Sequence, residues 1–497
     1  MLKVNRIAKA DLKNLMESTY NAISNFQIRA LYEGKDEILK YGRFTEDQFN
    51  FILDSYIDAE TERNLVYKTL IGLPPLTLDE LIEKVEYKKE KLIPAIEYLV
   101  AQGYLDRPIE EKTRIKQVKL KDGTVKDVEE KYEIVRYKAK KIDDLFRENY
   151  FDPVSLVFEA GACCNCGYCS SICPVGCIQV SADSLEIDKE KCIKCGLCFS
   201  VCPRSFPTRD VFRALNRLNP DLKDGGASNY YISAYSASTM NDKIKEVRQD
   251  GGIVTTIIQY LLKENKVDAA LAVMHSEDLW KPMPVLIESD KDVYKTAGTK
   301  YANAPSLNIL DEAFKYDRLA VVGTPCMMLA IKKGNTYPAP INLFENIKYT
   351  IGLFCMESFS YENIIKICTE VFDKKLENVV KMDISGGKFI VKEKSGEEHK
   401  VPLKDVTSFA RGECHYCNDL TSEYADISVG SIGSGAGWSS VITRTKAGDD
   451  LFNELINAGL VEVKDLAEVK PGFFLVKKIS GSKNSKCHKV EFNKKKE

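Results

Sequence analysis

An α/β domain of mixed sheet with flanking helices, joined to a small cysteine-built module and preceded by a mainly helical, winged-helix-like region, is the fold class this 497-residue sequence predicts. Three observations lead there. Eight cysteines repeat one spacing, each set closed by a proline. Downstream of about residue 229, short apolar runs alternate with helical segments, the texture of α/β folds. Before residue 150, helical periodicity gives way to a hairpin signal.

Residues 1–150 come first. Leu12, Leu15, Tyr20 and Ile23, and then Phe49, Ile52, Leu53 and Tyr56, recur at helical intervals and predict two or three helices up to about residue 65. After the break at Gly72–Pro75, Thr77 is placed to cap a short helix, and Lys88–Gln102 forms a longer one stopped by Gly103. The β-type runs RIKQVKL and EKYEIVRY flank Lys121-Asp122-Gly123, where Asp-Gly favours a tight hairpin. Helix, turn, helix and hairpin is the order of a winged helix, a shape that often binds DNA. Charge argues against that use: 27 Lys and Arg face 28 Asp and Glu, a net of −1 (27 − 28). Arg114, Lys116, Lys119 and Lys121 are offset by Asp127, Glu129, Glu130 and Glu133, whereas nucleic-acid modules carry a basic face. The region is therefore read as a docking domain for a redox partner subunit.

Residues 155–208 carry Cys163, Cys166, Cys169 and Cys173 before Pro174, then Cys192, Cys195, Cys198 and Cys202 before Pro203. Both sets are C-x2-C-x2-C-x3-C-P, the ligand run of a bacterial-type ferredoxin with two 4Fe–4S clusters. In such runs the fourth cysteine crosses over. Cys163, Cys166, Cys169 and Cys202 are thus assigned to one cluster, and Cys192, Cys195, Cys198 and Cys173 to the other. A zinc site takes four ligands and would leave half of these thiols unexplained. Cys164 and Cys177 fall off the pattern and are read as buried packing residues.

A linker over 209–228 leads to a large domain spanning 229–497. AALAV (269–273), RLAVVG (318–323) and KYTIGLFC (348–355) read as strands, Ile253–Lys263 and Tyr361–Phe372 as helices. Four more cysteines stand beside glycine or proline: Cys326 in GTPC, Cys355 in IGLFC, and Cys414 and Cys417 in GECHYC. Cys326 and Cys355 each follow an apolar strand, so strand ends would deliver them to one rim of a sheet. The spacing admits a third 4Fe–4S cluster or a four-thiolate zinc site, and an electron-transfer module on the same chain favours the cluster. Gln249-Asp250-Gly251-Gly252 before a helix with Thr255 in its first turn, and the run VGSIGSGAGW, are two glycine-rich places suited to an anion at a helix N-terminus. Neither is a G-x-G-x-x-G fingerprint. His415 lies between two of the cysteines, whereas His275, His399 and His488 show no evident acidic or nucleophilic partner. No serine elbow, H-E-x-x-H or P-loop is present, so hydrolase chemistry has no basis.

Overall charge is balanced, 71 basic against 73 acidic residues, which gives no field for nucleic acid or anionic lipid. No apolar stretch reaches membrane-span length, and ten of sixteen cysteines fall between 163 and 202, eight of them in cluster spacing. A cytoplasmic, reducing location without a membrane span is expected.

The motifs QDGGIVTTIIQYLL with KVDAALAV, AGTKYANAPSLN, VGTPCMMLAIKK, IGLFCMESFS, DISGGKF, RGECHYCNDL and ADISVGSIGSGAGWSSVITRT occur in this order. Over about residues 229–460 the chain resembles the family of coenzyme F420 hydrogenase/dehydrogenase beta subunits. The ferredoxin run resembles an arrangement also seen there, and residues 1–150 fall outside the family pattern. The resemblance implies an FAD-binding domain, a 4Fe–4S cluster beside the flavin held by Cys326, Cys355, Cys414 and Cys417, and hydride exchange between FAD and the deazaflavin coenzyme F420. It also implies FAD contacts at Gly251, Gly252, Thr255, Lys300, Tyr301 and Ser434, with Lys300 placed to meet an anionic substrate.

Hydride carriers deliver two electrons together while clusters accept one, so a flavin between them is chemically required. The expected enzyme is a flavin and iron–sulfur oxidoreductase subunit. It would pass electrons from F420 through FAD and three clusters to a redox partner in an anaerobic complex. Two rivals are an electron relay with FAD and clusters but no F420, coupled to ferredoxin or a nicotinamide, and a redox-sensing DNA-binding regulator.

Overall fold

The computed structural model describes residues 154–488, apart from 194–195, 206–215, 217–218 and 337–343, and a discontinuous set between 35 and 139. Cys195, the Lys121-Asp122-Gly123 turn, part of the 209–228 linker and much of the region behind the winged-helix reading lie outside the described residues.

In the N-terminal region, helix α1 (Leu78–Val85) starts with a reciprocal cap. The Glu80 amide donates to Thr77 Oγ1 at 3.3 Å and the Thr77 amide to Glu80 Oε2 at 2.7 Å, which satisfies two donors that a helix start leaves open. Leu81 of α1 packs with Val66, Leu70, Leu92, Ile96 and Leu99 in a small separate core. Strands β1 (Ile109–Lys119) and β2 (Val125–Ala139) pair antiparallel from Ile109↔Val135 to Lys119↔Val125.

The next module contains helix α2 (Tyr168–Ser171), strands β3 (Ile178–Val180) and β4 (Leu185–Ile187), and helix α3 (Leu197–Val201). It is tied to the large domain by main-chain and amide bonds: Leu307 N–H to Cys166 O at 3.0 Å, Asn308 Nδ2 to Val180 O at 2.6 Å and Asn303 Nδ2 to Ala182 O at 3.1 Å. These asparagines belong to the AGTKYANAPSLN stretch, which thereby acts as the seat of the module.

The large domain is a mixed eight-stranded sheet. In chain order its elements are β5 (Ser233–Thr239), α4 (Ile253–Lys263), β6 (Ala269–His275), β7 (Pro282–Ile287), β8 (Leu319–Gly323), α5 (Pro325–Thr336) and β9 (Ile347–Leu353). A separate antiparallel meander of β10 (Val379–Ser385), β11 (Lys388–Glu393) and β12 (Glu398–Pro402) follows. The chain then returns through β13 (Ile427–Gly430), β14 (Ser439–Thr443), α6 (Lys446–Asn457) and β15 (Val461–Asp465) to α7 (Gly472–Ser485). The sheet order is β7-β6-β8-β9-β13-β14-β5-β15, with β6, β8, β9 and β13 parallel in the middle.

Period-two alternation decides what each face of this sheet meets. Leu271, Leu319 and Val321 point to the face that carries the cysteine module and α5, while Ala270, Ala272, Ala320 and Val322 point to the face covered by α4 and α6. All five residues of β8 are buried, which is why the central strands read as continuous apolar runs. At roughly 1.5–3 kcal/mol for each large apolar side chain removed from water, the two faces make the sheet a rigid platform. Tyr361–Phe372 is helical as expected, but only Tyr361–Lys366 is α, and Ile367–Val371 widens to a π-turn that buries Cys368. Among the described residues, no helix is long and apolar enough to cross a membrane.

Candidate metal centres

Within the small module, Gly167 and Gly196 take φ of 89° and 71°, the left-handed region that glycine adopts without a Cβ clash. Each glycine turns the chain into a short helix that carries the third cysteine of its set, Cys169 on α2 and Cys198 on α3. Cys163, Cys166, Cys169 and Cys202 line one buried pocket with Asn165 and Tyr168. Burial, with the Cys202 thiol beside it, pushes the Cys163 thiol up to about 12. Cys198 neighbours Cys173 and Cys192, with Cys169 also within electrostatic reach, and burial pushes its thiol up to about 12 as well. The structure thus brings the fourth cysteine of each run to the opposite set, for every ligand candidate except Cys195.

The second cysteine group is built from distant segments. β8 and β9 are parallel neighbours with Gly323 opposite Gly352, so Cys326 and Cys355 leave the sheet at the same end. Cys414 comes from the turn Gly412–Tyr416 and Cys417 from its end cap, the turn being held by the Arg411 amide on Ser358 O at 2.9 Å. The Ser358 amide points at Cys414 Sγ from 3.4 Å, and the Thr324 hydroxyl lies 3.2 Å from Cys326 Sγ. Cys355 is fixed through its amide to Leu420 O at 2.8 Å.

Two buried cations close this group. Lys483 of α7 donates to Cys355 O at 2.6 Å and Asp419 O at 2.8 Å. Arg204, directly after Cys202-Pro203, donates to Tyr416 O at 2.6 Å. Burial works to raise the Cys417 thiol, yet the Lys483 ammonium and the Arg204 guanidinium outweigh it and hold that thiol below its ordinary value. Among the described residues Arg204 Nε is buried without an acceptor, a spare donor of the kind cluster sulfurs accept. The fit of all three thiol sets to an iron–sulfur core is chemical. Buried thiols whose ionisation is opposed by burial and by one another become thiolates when a polyvalent cationic core is bound among them.

Cys164 and Cys177 are buried, as expected, but they are more than packing. The Cys177 amide donates to Cys173 Sγ at 3.3 Å and its own Sγ lies 3.5 Å from that sulfur. Cys164 sits against Cys166 on one side and Cys326 on the other. His399 also has an acidic partner after all, Glu393 Oε2 at 2.8 Å. The two residues lie on paired strands, a proximity that sequence distance hides. His415 packs edge-on to His488 beside the Cys414–Cys417 turn.

The glycine-rich places turn out to be adjacent. The Gly251 amide donates to Ser439 Oγ at 2.9 Å, and Ser238 Oγ both accepts from Arg248 and donates to Gly437 O. Gly251 and Gly252 are required by packing: a Cβ on Gly251 would fall 2.4 Å from Ala237 O, and one on Gly252 2.8 Å from Ile244. Gly435 and Gly298 open onto free space. Arg248 and the start of α4 supply positive charge here, so the edge suits a phosphate-bearing group. Thr255 is buried in the first turn of α4, and Ser434 Oγ pairs with Ser440 Oγ at 2.9 Å. Tyr301 is half-buried against Phe389, near Asp383 and Asp250. The Lys300 ammonium donates to Thr296 O, Ala297 O and Gly298 O, which occupies all three of its donors. Burial lowers it to about 8.

Comparison with known proteins follows this layout. Residues 234–311 and 316–469 match the N-terminal and C-terminal models of the coenzyme F420 hydrogenase/dehydrogenase beta subunit, and 185–208 match a 4Fe–4S binding domain. The chain is 36% identical over 328 residues to an F(420)H(2) dehydrogenase subunit of Methanosarcina mazei, spanning 66% of this chain and 90% of that protein. This chain belongs to the family of F420 hydrogenase/dehydrogenase beta subunits. Another member, the coenzyme F420 hydrogenase beta subunit of Methanothermobacter thermautotrophicus, is 36% identical over 263 residues, which is 52% of this chain and 93% of that one. A chain of the F420-reducing [NiFe] hydrogenase complex from Methanosarcina barkeri superposes with a TM-score of 0.50 at 35% identity, covering 54% of this chain and 91% of its own. Members of this family are oxidoreductases, and this chain is one. Its C-terminal family model spans Cys326, Cys355, Cys414 and Cys417, while Cys163–Cys173 and residues 1–150 lie outside the three matched stretches.

Proposed function

We propose that this protein exchanges hydride between coenzyme F420 and a bound FAD and sends the electrons singly through three 4Fe–4S clusters to a redox partner subunit. The observation that carries the reading is the contact sequence of the thiol sets. Cys326 of the four-cysteine group lies against Cys164 and within electrostatic reach of Cys166, and Cys169 of the first ferredoxin set lies within the same reach of Cys198 of the second. Three sulfur-ligand centres in a row suit one-electron transport and have no use in a zinc structural site.

FAD would supply the conversion between a two-electron hydride and single electrons. The chain's residues do the rest. Arg248, Gly251, Gly252 and Thr255 at the start of α4, with Ser434 and Gly435, would cradle its phosphate end, and Tyr301 would wall the pocket. Cys326, Cys355, Cys414 and Cys417 would hold the first cluster, Cys163, Cys166, Cys169 and Cys202 the second, and Cys173, Cys192, Cys195 and Cys198 the third. Lys483 and Arg204 offset thiolate charge at the first. Residues 1–150 would dock the partner.

Anaerobic analysis of one purified sample tests this, with about twelve irons, matching sulfide and one FAD expected per chain. Reduction of F420 by protein given reduced viologen is the second arm. Bound FAD with no F420 turnover would leave the relay reading in place, and zinc without flavin would end both.

A further inference from the structure

Where the small module meets the large domain, two buried arginines reach across in opposite directions. Arg204 leaves the ferredoxin module immediately after Cys202-Pro203 and donates to Tyr416 O, inside the Cys414–Cys417 turn. Arg411 leaves the large domain three residues before Cys414 and donates to Asn165 Oδ1 at 2.6 Å and Cys164 O at 3.3 Å, inside the Cys163–Cys166 loop. Their exposures are 8% and 7%. Each therefore anchors in the ligand loop of the other centre, and the Cys164 thiol, against Cys166 and Cys326, feels the Arg204 charge.

A pair of ion-anchored loops is a costly way to join two domains if only adhesion is needed. A buried guanidinium is stabilised only by well-aligned acceptors, and an apolar seam of the same size would hold as well. The geometry points to a different use. We propose that Arg204 and Arg411 are reciprocal positioning residues for electron exchange between the centre at Cys326, Cys355, Cys414 and Cys417 and the centre at Cys163, Cys166, Cys169 and Cys202, and that the Arg204 charge raises the reduction potential of the former.

This rests on the proposal that both centres hold 4Fe–4S clusters. The exchange moves one electron: one centre is oxidised by one unit and the other reduced by one, with no bond made and no proton transferred. Arg204 lies beside Cys417 and Cys326, so its fixed charge favours the state that carries one more electron. Arg411 grips main chain and an amide on the ferredoxin side, so its chief effect is on spacing.

The test is an anaerobic redox titration of the full-length protein followed by electron paramagnetic resonance, with iron counted on the same samples. Arg204→Gln should keep wild-type iron, with the four-cysteine centre shifted most to more negative potential, the centre that includes Cys202, which Arg204 also neighbours, shifted less, and the third unmoved. Arg204→Lys, which retains charge, should leave all three near wild type. Arg411→Gln should weaken the spin–spin splitting of the fully reduced protein at full iron content. Unchanged midpoints in Arg204→Gln, together with unchanged splitting in Arg411→Gln, overturn the proposal. Should either arginine variant lose iron, Asn165→Gly decides, because it removes the acceptor while tolerating the φ of 50° found there. Weakened splitting in that variant supports the clasp and wild-type splitting sinks it. A wild-type protein without about twelve irons would instead refute the cluster reading beneath it.

Discussion

The ferredoxin-type sites and the four-cysteine centre lie on one molecule and use the same ligand atom, yet they are built in opposite ways. In the former, glycines with positive φ and short helices bring thiols together within a few residues. Cys198 there feels burial first and then the Val154 amide and its fellow thiols Cys173 and Cys192. In the latter, two parallel strand ends, a turn and the C-terminal helix each contribute one part, and Lys483 and Arg204 pull the Cys417 thiol below its ordinary value. A local site can thus be made from spacing alone. Fixed charge reaches both kinds of site, Lys333 and Arg204 at Cys202 and Lys483 and Arg204 at Cys417, but burial still wins at Cys202 and charge wins at Cys417. Such a balance separates the electron affinities of otherwise alike sulfur centres.

The largest way to break this contrast is to remove one ligand from each kind of site. Cys417→Ala should lower iron by about four of about twelve per chain and leave the ferredoxin resonance signals intact. Cys198→Ala should do the reverse. Loss of all iron from Cys417→Ala, measured by colorimetric assay, would mean the sites do not assemble independently.

A smaller effect probes the sheet's part in the non-local site. A Cβ on Gly430 would come 2.2 Å from the ring of Phe354, the residue before Cys355. Gly430→Ala should therefore displace the Cys355 segment, with an overpacking cost of about 1–3 kcal/mol. Iron and thermal midpoint should both fall, and the ferredoxin signals should persist. An unchanged iron count would show that the rim tolerates the shift.

These two kinds of site also differ in how legible they are in the sequence. Cys163 to Cys202 can be proposed as ligands, crossover included, because ligand spacing is a local property. Ile253–Lys263 is legible to the residue, since its apolar face repeats at helical period. Cys326 and Cys355 can be placed at one rim, because each follows a run apolar enough to be a buried strand. Arg204, Arg411 and Lys483 carry no such signal. Each reaches the distant cysteine loop it anchors only after folding, at sequence separations such as 212 for Arg204 and Tyr416. The glycine run VGSIGSGAGW and Gly251 look like separate places for the same reason, although the Ser439 hydroxyl joins them. Nothing in AGTKYANAPSLN announces that three upstream carbonyls curl round the Lys300 ammonium.

Lys483 sharpens the comparison without removing a ligand. Lys483→Met takes away a buried cation and leaves Cys355 O and Asp419 O without that donor, at a cost of about 1–3 kcal/mol. The four-cysteine centre should keep its iron and titrate at a more negative potential, while the ferredoxin midpoints stay in place. If all three midpoints were unmoved in an anaerobic titration, charge would not be what distinguishes the two regions.

The glycine edge should respond to pH without touching either kind of metal centre. Burial raises the Asp250 carboxyl to about 6, with Asp383 adding to it and Lys381 and Arg248 opposing. A carboxyl with a folded-state value above its unfolded one binds more protons when folded, so its contribution is complete below about pH 4 and is lost as pH rises through about 6. Above that window the ionised, buried Asp250 costs at most roughly 3 kcal/mol. Asp250→Asn should therefore raise the thermal midpoint at pH 7.5 by several degrees, and this advantage should shrink as pH falls through 6 toward 4. Iron content should be unchanged. An equal gain at pH 7.5 and pH 4.5 would mean that Asp250 stays ionised in the folded protein, held by Arg248 and Lys381, and that the glycine edge is more cationic than its burial implies.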